Sequence, residues 1–313
     1  MAEGCMMDWQ EFINSRKPVF VAEVSSNHNQ DLDRCLAFIE KASEIGCDAV
    51  KFQLFRIKEL FAPEILERSE EHRKREAWEL PVHFLPVLAE RCRERGLRFG
   101  CTPAYLDAVE ELLPHVDFYK ISSYELMWNE LLVSVAATGK PVVLSTGMAT
   151  MGEIERAVGA LRKNGCKDLV LLHCVSGYPT PYHECNLAAI ESLRRAWECL
   201  VGWSDHTVSP GVIHRAIHKW DAVMVEFHLD LDGRGKEYET GHCWLPGQIE
   251  AVIKDVREGC EADGSGEKVP SSCELPDRDW RADPMDGLRP LVGIRKKVFW
   301  LCDDRNRRCS DNE

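Results

Sequence analysis

Residues 18–53 read PVFVAEVSSNHNQDLDRCLAFIEKASEIGCDAVKFQ. The opening PVFVAE (18–23) is a short apolar, β-prone run, and CDAVKFQ (47–53) is a second one. Between them Leu32, Cys35, Leu36, Phe38, Ile39 and Ala42 recur at near-helical spacing, which predicts an amphipathic helix over 32–45. Gly46 then supplies the left-handed stop that commonly ends a helix before the next strand. The turn after the first strand reads Val24-Ser25-Ser26-Asn27-His28-Asn29. It has none of the glycines that a dinucleotide-binding doubly wound sheet places there.

The same unit recurs along the chain. Further strands are predicted at 97–102, 116–121, 141–146, 168–174, 200–203 and 222–227, with helical patterns at 84–95, 107–113, 152–163 and 187–197. Gly96 and Gly165 end helices as Gly46 does. Eight strand–helix units in roughly 250 residues predict an α/β fold of the (β/α)8 barrel type with an irregular C-terminal extension. The expected division is an N-terminal extension at 1–17, a catalytic barrel at 18–260 and an irregular tail at 261–313, where Asp-Gly-Ser-Gly-Glu and four prolines replace periodic sequence. Residues 56–80 form a charged insertion after the second strand, read equally well as a rim of the substrate mouth or as a solvated helical hairpin.

With 313 residues, 44% of them hydrophobic, the chain is large enough to bury a sizeable core. Its net charge of −13 argues against a nucleic-acid binder, which would present a basic face. The 14 cysteines include no CxxC pair and match no zinc ribbon, so they read as small hydrophobes in a reducing cytoplasm. No basic leader and no bilayer-length apolar stretch is evident, so no membrane association is expected.

Functional residues of such barrels sit at the C-terminal ends of the strands. Here those ends carry Glu23, Lys51 with Gln53, Thr102, Lys120, Ser145, His173, Ser204 through His206, and Glu226 with His228. A lysine at an inward strand position is costly unless it meets an anion. Lys51 or Lys120 alone reads as well as a buried ion pair, with Glu23 or Glu125 as partner. Both together, with the hydroxyls of Thr102, Ser123 and Ser145, suggest a phosphate or carboxylate cradle. His206 and His228 close two late strands. A lone histidine there is more often structural, but two on adjacent strands could hold a divalent metal with open positions for substrate. His28, in the first loop, is a candidate for a hydrogen-bonding role behind such ligands.

The motifs, taken in order, resemble the sialic acid (N-acetylneuraminate) synthase family. They are Val21-Ala22-Glu23 through Asn29, Asp48 through Gln53, Thr102-Pro103, Tyr119 through Glu125, Leu144 through Met148, Ser176 through Pro181, Gly202 through His206, and Glu226-Phe227-His228. The resemblance spans about 18–255. It implies a transferase that condenses phosphoenolpyruvate (PEP) with an N-acylated amino aldose, giving a nonulosonic 3-deoxy-ulosonate and phosphate. By resemblance His206 and His228 match the ligands of a divalent metal, Mn2+ or Mg2+. Lys51, Gln53, Thr102, Lys120, Ser123, Ser145, Ser176, Tyr178 and Ser204 match PEP contacts. Glu23, Lys51, Lys120 and Glu226 would act in catalysis, Glu23 by handling protons or aligning water. Glu125, Asp205 and Glu239 would face the sugar, Glu239 standing where the family usually has Asp. The resemblance also implies a homodimer.

Family members usually add a small antifreeze-like domain whose arginine reaches the partner's sugar site. Residues 260–313 do not look like that domain, and Arg281 or Arg289 is the candidate replacement. The stretch 232–245 also departs from the family's Gly-Pro-Asp pattern, which leaves the acceptor open. Two other readings stand beside the leading one: a metal-dependent pyruvate aldolase or lyase on the same barrel, and a non-catalytic PEP- or sugar-binding homologue.

Overall fold

The computed structural model describes residues 9–14 and 17–295. The remainder of the expected N-terminal extension, and of the tail from 296 onward, lies outside the described residues. Eight parallel strands close a barrel in sequence order: β1 Val19–Glu23, β2 Ala49–Leu54, β3 Arg98–Pro103, β4 Phe118–Ile121, β5 Val142–Ser145, β6 Leu169–Cys174, β7 Leu200–Asp205 and β8 Met224–His228. The closing pair runs Val19↔Met224 to Glu23↔His228. This is the (β/α)8 barrel that the alternating pattern predicts.

The helices run α1 Trp9–Asn14, α2 Leu32–Glu44, α3 Ile57–Leu60, α4 Pro63–Arg68, α5 Glu70–Lys74, α6 Leu85–Glu94 and α7 Asp107–Leu112. They continue with α8 Asn129–Ala137, α9 Met151–Lys163, α10 Ala189–Trp197, α11 Pro210–Trp220 and α12 Pro246–Asp263. Local chemistry fixes several ends. Asp31 caps α2 by accepting from Asp33 N and Arg34 N, and Thr150 with Glu153 forms a reciprocal capping box on α9.

Strand alternation divides each strand between two cores. Outward residues such as Phe20, Val50, Phe99, Tyr119, Leu144, Leu171 and Trp203 pack beneath the helices. Inward residues Val19, Val21, Ala49, Phe118, Val143, Val170, Leu172 and Met224 fill the barrel's lower interior together with Trp9 and Ile13 of α1. The N-terminal segment therefore contributes a plug, with the Trp9 ring 5.5 Å from that of Phe118. Gly100 makes room for this layer, since a Cβ there would lie 2.2 Å from Phe118 Cζ. Above it the inward positions turn polar, and there the candidate site begins.

The insertion after β2 folds as α3–α5 and a 3-10 turn at Arg75–Trp78. Phe61, Leu66 and Trp78 pack on Phe55, Ile57 and Ala104, so this segment is anchored by an apolar cluster. A separate compact unit begins at Asp263. It contains a 3-10 helix at Ser272–Trp280, and Asp283 accepts from Met285 N and Val292 N within it. No helix among the described residues is long and apolar enough to cross a membrane.

Candidate active site

The inward, C-terminal ends of the strands line a cavity of about 640 Å³. Alternation places Lys51 and Gln53, Thr102, Lys120, Ser145, Cys174, Ser204, and Glu226 and His228 on its floor and walls. Glu23 is fully buried just beneath, with Oε2 2.5 Å from Lys51 Nζ and Oε1 accepting from Gln53 Nε2 at 2.8 Å. Glu226 lies between the two lysines: Oε1 is 3.4 Å from Lys120 Nζ, Oε2 is 3.9 Å from Lys51 Nζ, and Ser204 Oγ donates to Oε1 at 3.0 Å. The lysines thus pair with Glu23 and Glu226, and Glu125 instead takes the hydroxyl of Ser122.

Electrostatics separate the two carboxylates. Burial pushes Glu23 above its ordinary value, against the pull of Lys51 and with a further push from Glu226. Burial acts on Glu226 too, but Lys120 and Lys51 outweigh it and hold that carboxyl at about 2. Lys120 is lowered, first by burial, while Glu23 and Glu226 overcome burial at Lys51 and raise it. One carboxylate suited to carry a proton therefore stands beside one that stays charged.

The buried hydroxyls of Thr102, Ser145 and Ser176 have no hydrogen-bond partner. Buried polar groups are nearly always satisfied, so the orphaned hydroxyls of Thr102 and Ser145, which line the cavity with two lysines, suit a ligand rich in acceptors. Ser123 Oγ accepts from Gly147 N at 2.9 Å and lies 3.2 Å from Cys174 Sγ. Gly147 is required by this crowding, since a Cβ would come within 2.4 Å of Ser176 Oγ. Ser176 itself stands behind the lining residues.

The histidines gather at one side of the cavity. His206 and His228 have ring centres 5.4 Å apart, and Tyr178 lies 4.4 Å from His206. His206 Nδ1 donates to Val175 O at 2.8 Å, which leaves Nε2 as the free donor atom. Burial and the neighbouring His228 lower His206 to about 3, so it is a neutral imidazole able to bind a metal. Burial opposes charge on His228, but Glu237, 2.9 Å from its Nδ1, outweighs burial and raises it. The donor chemistry of this corner suits a divalent ion.

Two expected sugar contacts lie elsewhere. Asp205 is fully buried and faces out of the barrel, because Ser204 and His206 on either side of it face in. Its Oδ1 accepts from Trp203 Nε1 at 3.1 Å and Thr207 Oγ1 at 2.7 Å, and its Oδ2 from Trp244 Nε1 at 2.9 Å. It is a structural staple. Glu239 is exposed in the 3-10 turn Tyr238–Thr240, and the carboxylate that enters the cavity is Glu237. The loop's path explains the difference. Glu237 N donates to Asn27 Oδ1 at 2.9 Å, and a Cβ on Gly235 would meet Asp230 and Asn27 at 2.3 and 2.4 Å. The chain hugs β1's loop here and turns residue 237 inward.

His173 also faces outward, toward Cys185 O, and Cys174 takes the inward position. His28 accepts from Gln30 N through Nδ1 and is not among the lining residues. Sequence reasoning missed Ser25, Glu237 and His242. Ser25, held at φ +48°, accepts from Gln53 Nε2 at 3.2 Å and donates to Glu237. His242 stands in the unusual Gly-His-Cys-Trp run at 241–244, which was the available signal. Leu60, Phe61, Arg75 and Trp78 of the insertion also line the cavity, so the segment is part of its wall.

Comparison with known proteins agrees with this architecture. The model of the NeuB family matches residues 38–268. An uncharacterised protein of Methanocaldococcus jannaschii is 35% identical over 298 residues, covering 94% of this chain and 85% of that protein. The N,N'-diacetyllegionaminic acid synthase of Campylobacter jejuni is 32% identical, covering 83% of this chain and 81% of its own. Among solved structures, the N-acetylneuraminic acid synthetase of Leptospira borgpetersenii, a citrate complex, superposes with a TM-score of 0.74 at 29% identity. It covers 84% of this chain and 90% of that one.

Proposed function

The chain belongs to the NeuB family, and from that premise we propose that it is a divalent-metal-dependent synthase condensing PEP with an aldose to a nonulosonic acid. The observation that carries the proposal is the pair of orphaned buried hydroxyls Thr102 and Ser145, which line the cavity with Lys51 and Lys120. A phosphate or carboxylate would satisfy all of them and draw the lysines from Glu23 and Glu226. Gln53, Ser123, Ser204 and Tyr178 complete the proposed PEP subsite.

In the proposed reaction, C3 of PEP bonds to the aldehyde carbon, water adds at C2, and the C2–O bond to phosphate breaks. The metal, bound by His206 and His228, would supply Lewis acidity toward the aldehyde oxygen. Glu23, with its raised affinity for protons, takes the proton of the attacking water. Glu226 stays ionised and fixes Lys120 and Lys51. The acceptor's distal end would face Glu125, Phe61, Arg75 and Trp78. A reducing cytoplasm fits the free thiols found at each described cysteine, and a homodimer is included on family resemblance alone.

The test is to incubate the protein with PEP, Mn2+ and a panel of N-acylated hexosamines and simple aldoses. Phosphate release with a product of the summed carbon skeleton is expected for at least one acceptor. Condensation with pyruvate but not PEP would favour an aldolase. PEP binding without turnover on any acceptor would favour a binding protein.

A further inference from the structure

The loop between β8 and α12 is pinned at both ends. Trp244 bridges to Leu229, its N–H donating to His228 O at 2.8 Å while Asp230 N donates to Trp244 O at 2.9 Å. Its indole is tied to Asp205, and Arg34 binds Asp230 at 2.9 Å. This closed loop carries two more ligand-type residues into the cavity, Glu237 and His242. His242 is 4% exposed, with its ring centre 4.6 Å from that of His228 and 6.2 Å from that of His206.

Proton placement fixes the donor atom of His242. Thr240 Oγ1 gives its proton to Glu237 O at 2.6 Å, so at 2.5 Å it must accept from His242 Nδ1. Nε2 of the neutral ring is then a lone pair, and it faces Glu237 Oε2 at 3.6 Å. Two acceptors face each other there with no proton between them. His228 Nδ1 lies 2.9 Å from the same carboxylate oxygen. Neighbouring donors on one ion at ~2.1 Å stand about 3.0–3.4 Å apart, so separations of 2.9 and 3.6 Å need shifts of only about 0.1–0.2 Å to share a cation. Cys243 is nearby but does not line the cavity, and its Sγ takes Asn27 Nδ2 at 3.7 Å.

We propose that Glu237 and His242 complete the metal's ligand set, so that three imidazoles and one carboxylate hold the ion. This rests on the reading above that a divalent ion sits at His206 and His228. An imidazole-rich set favours borderline ions such as Fe2+, Co2+ or Zn2+ over Mg2+.

The test uses the full chain stripped with chelator. Co2+ binding is followed by calorimetry and by its visible absorption, for wild type, H206A, H228A, H242A and E237Q. A thermal melt verifies folding of each, and H242Q replaces H242A if the latter does not fold. The expected result is a loss of Co2+ affinity of at least tenfold in H242A and E237Q, with an altered absorption band. Mg2+ at hundredfold excess should not displace Co2+ from the wild type. Wild-type affinity and spectrum in H242A and E237Q, with loss in H206A and H228A, would overturn the added ligands and leave the two-histidine site standing. Absence of Co2+ binding by the wild type would overturn both readings.

Discussion

Lys120 is the residue whose loss should be most selective. Fully buried, it has Glu226 as its single salt-bridge partner among the described residues and stands by the orphaned hydroxyls. A hydrogen bond to a charged group contributes about 1.5–3 kcal/mol. K120A should therefore weaken PEP binding by roughly 10- to 100-fold in calorimetry, with a smaller change in acceptor KM. Glu23 should divide binding from chemistry: E23Q keeps one acceptor oxygen for Lys51, turns its NH2 toward Gln53, and cannot take a proton. PEP affinity should stay within about threefold, while kcat falls roughly 10²- to 10⁴-fold, the usual range for a lost acid–base group. Most of these residues were legible because strand alternation is rigid. Once Lys51 points inward, Gln53 does too. Asp205, placed at the sugar by resemblance, stands one residue out of step with that rule, and its neighbours Ser204 and His206 face the cavity. Glu239 was named in place of Glu237 for another reason: a loop has no period, and only contacts with Asn27 and Asp230, more than 200 and fewer than ten residues away respectively, decide which of its acids turns inward.

At the scale of elements, the eight strands and α2, α6, α7, α9 and α10 were readable, while α11 and α12 went unread despite their mixed faces. α8, Asn129–Ala137, was not, because its sequence NELLVSVAA is apolar nearly all round and shows no stripe. α1 was also missed as an element, since its purpose as a plug exists only once the barrel is closed. Asp205 joins two elements, β7 and the loop before α12, by accepting from two indoles. D205A leaves both N–H groups buried and unpaired, at about 1–3 kcal/mol each. Its melting temperature should drop by several degrees, whereas PEP affinity should change little. An unchanged melting temperature would show that Asp205 is not the staple its contacts indicate.

For the whole molecule, hydrophobic layers stabilise the lower barrel, and the polar layer above them stores charge that the fold alone leaves poorly satisfied. A ligand that satisfies this layer should stabilise the protein. PEP at 100 times its Kd adds about 2.7 kcal/mol, and a protein this large gains roughly 2–4 °C per kcal/mol. A saturable rise in melting temperature of several degrees is expected, and K120A should abolish most of it at the same PEP concentration. A last consequence concerns the bridge between Leu229 and Trp244. Because it clasps the chain before and after the segment 231–243, residues added around 231–234 would bulge outward as a lengthened rim. The reacting corner would keep its place. Descendants of this gene could therefore experiment with the length of that rim, and with the molecules it admits, while inheriting the same chemistry.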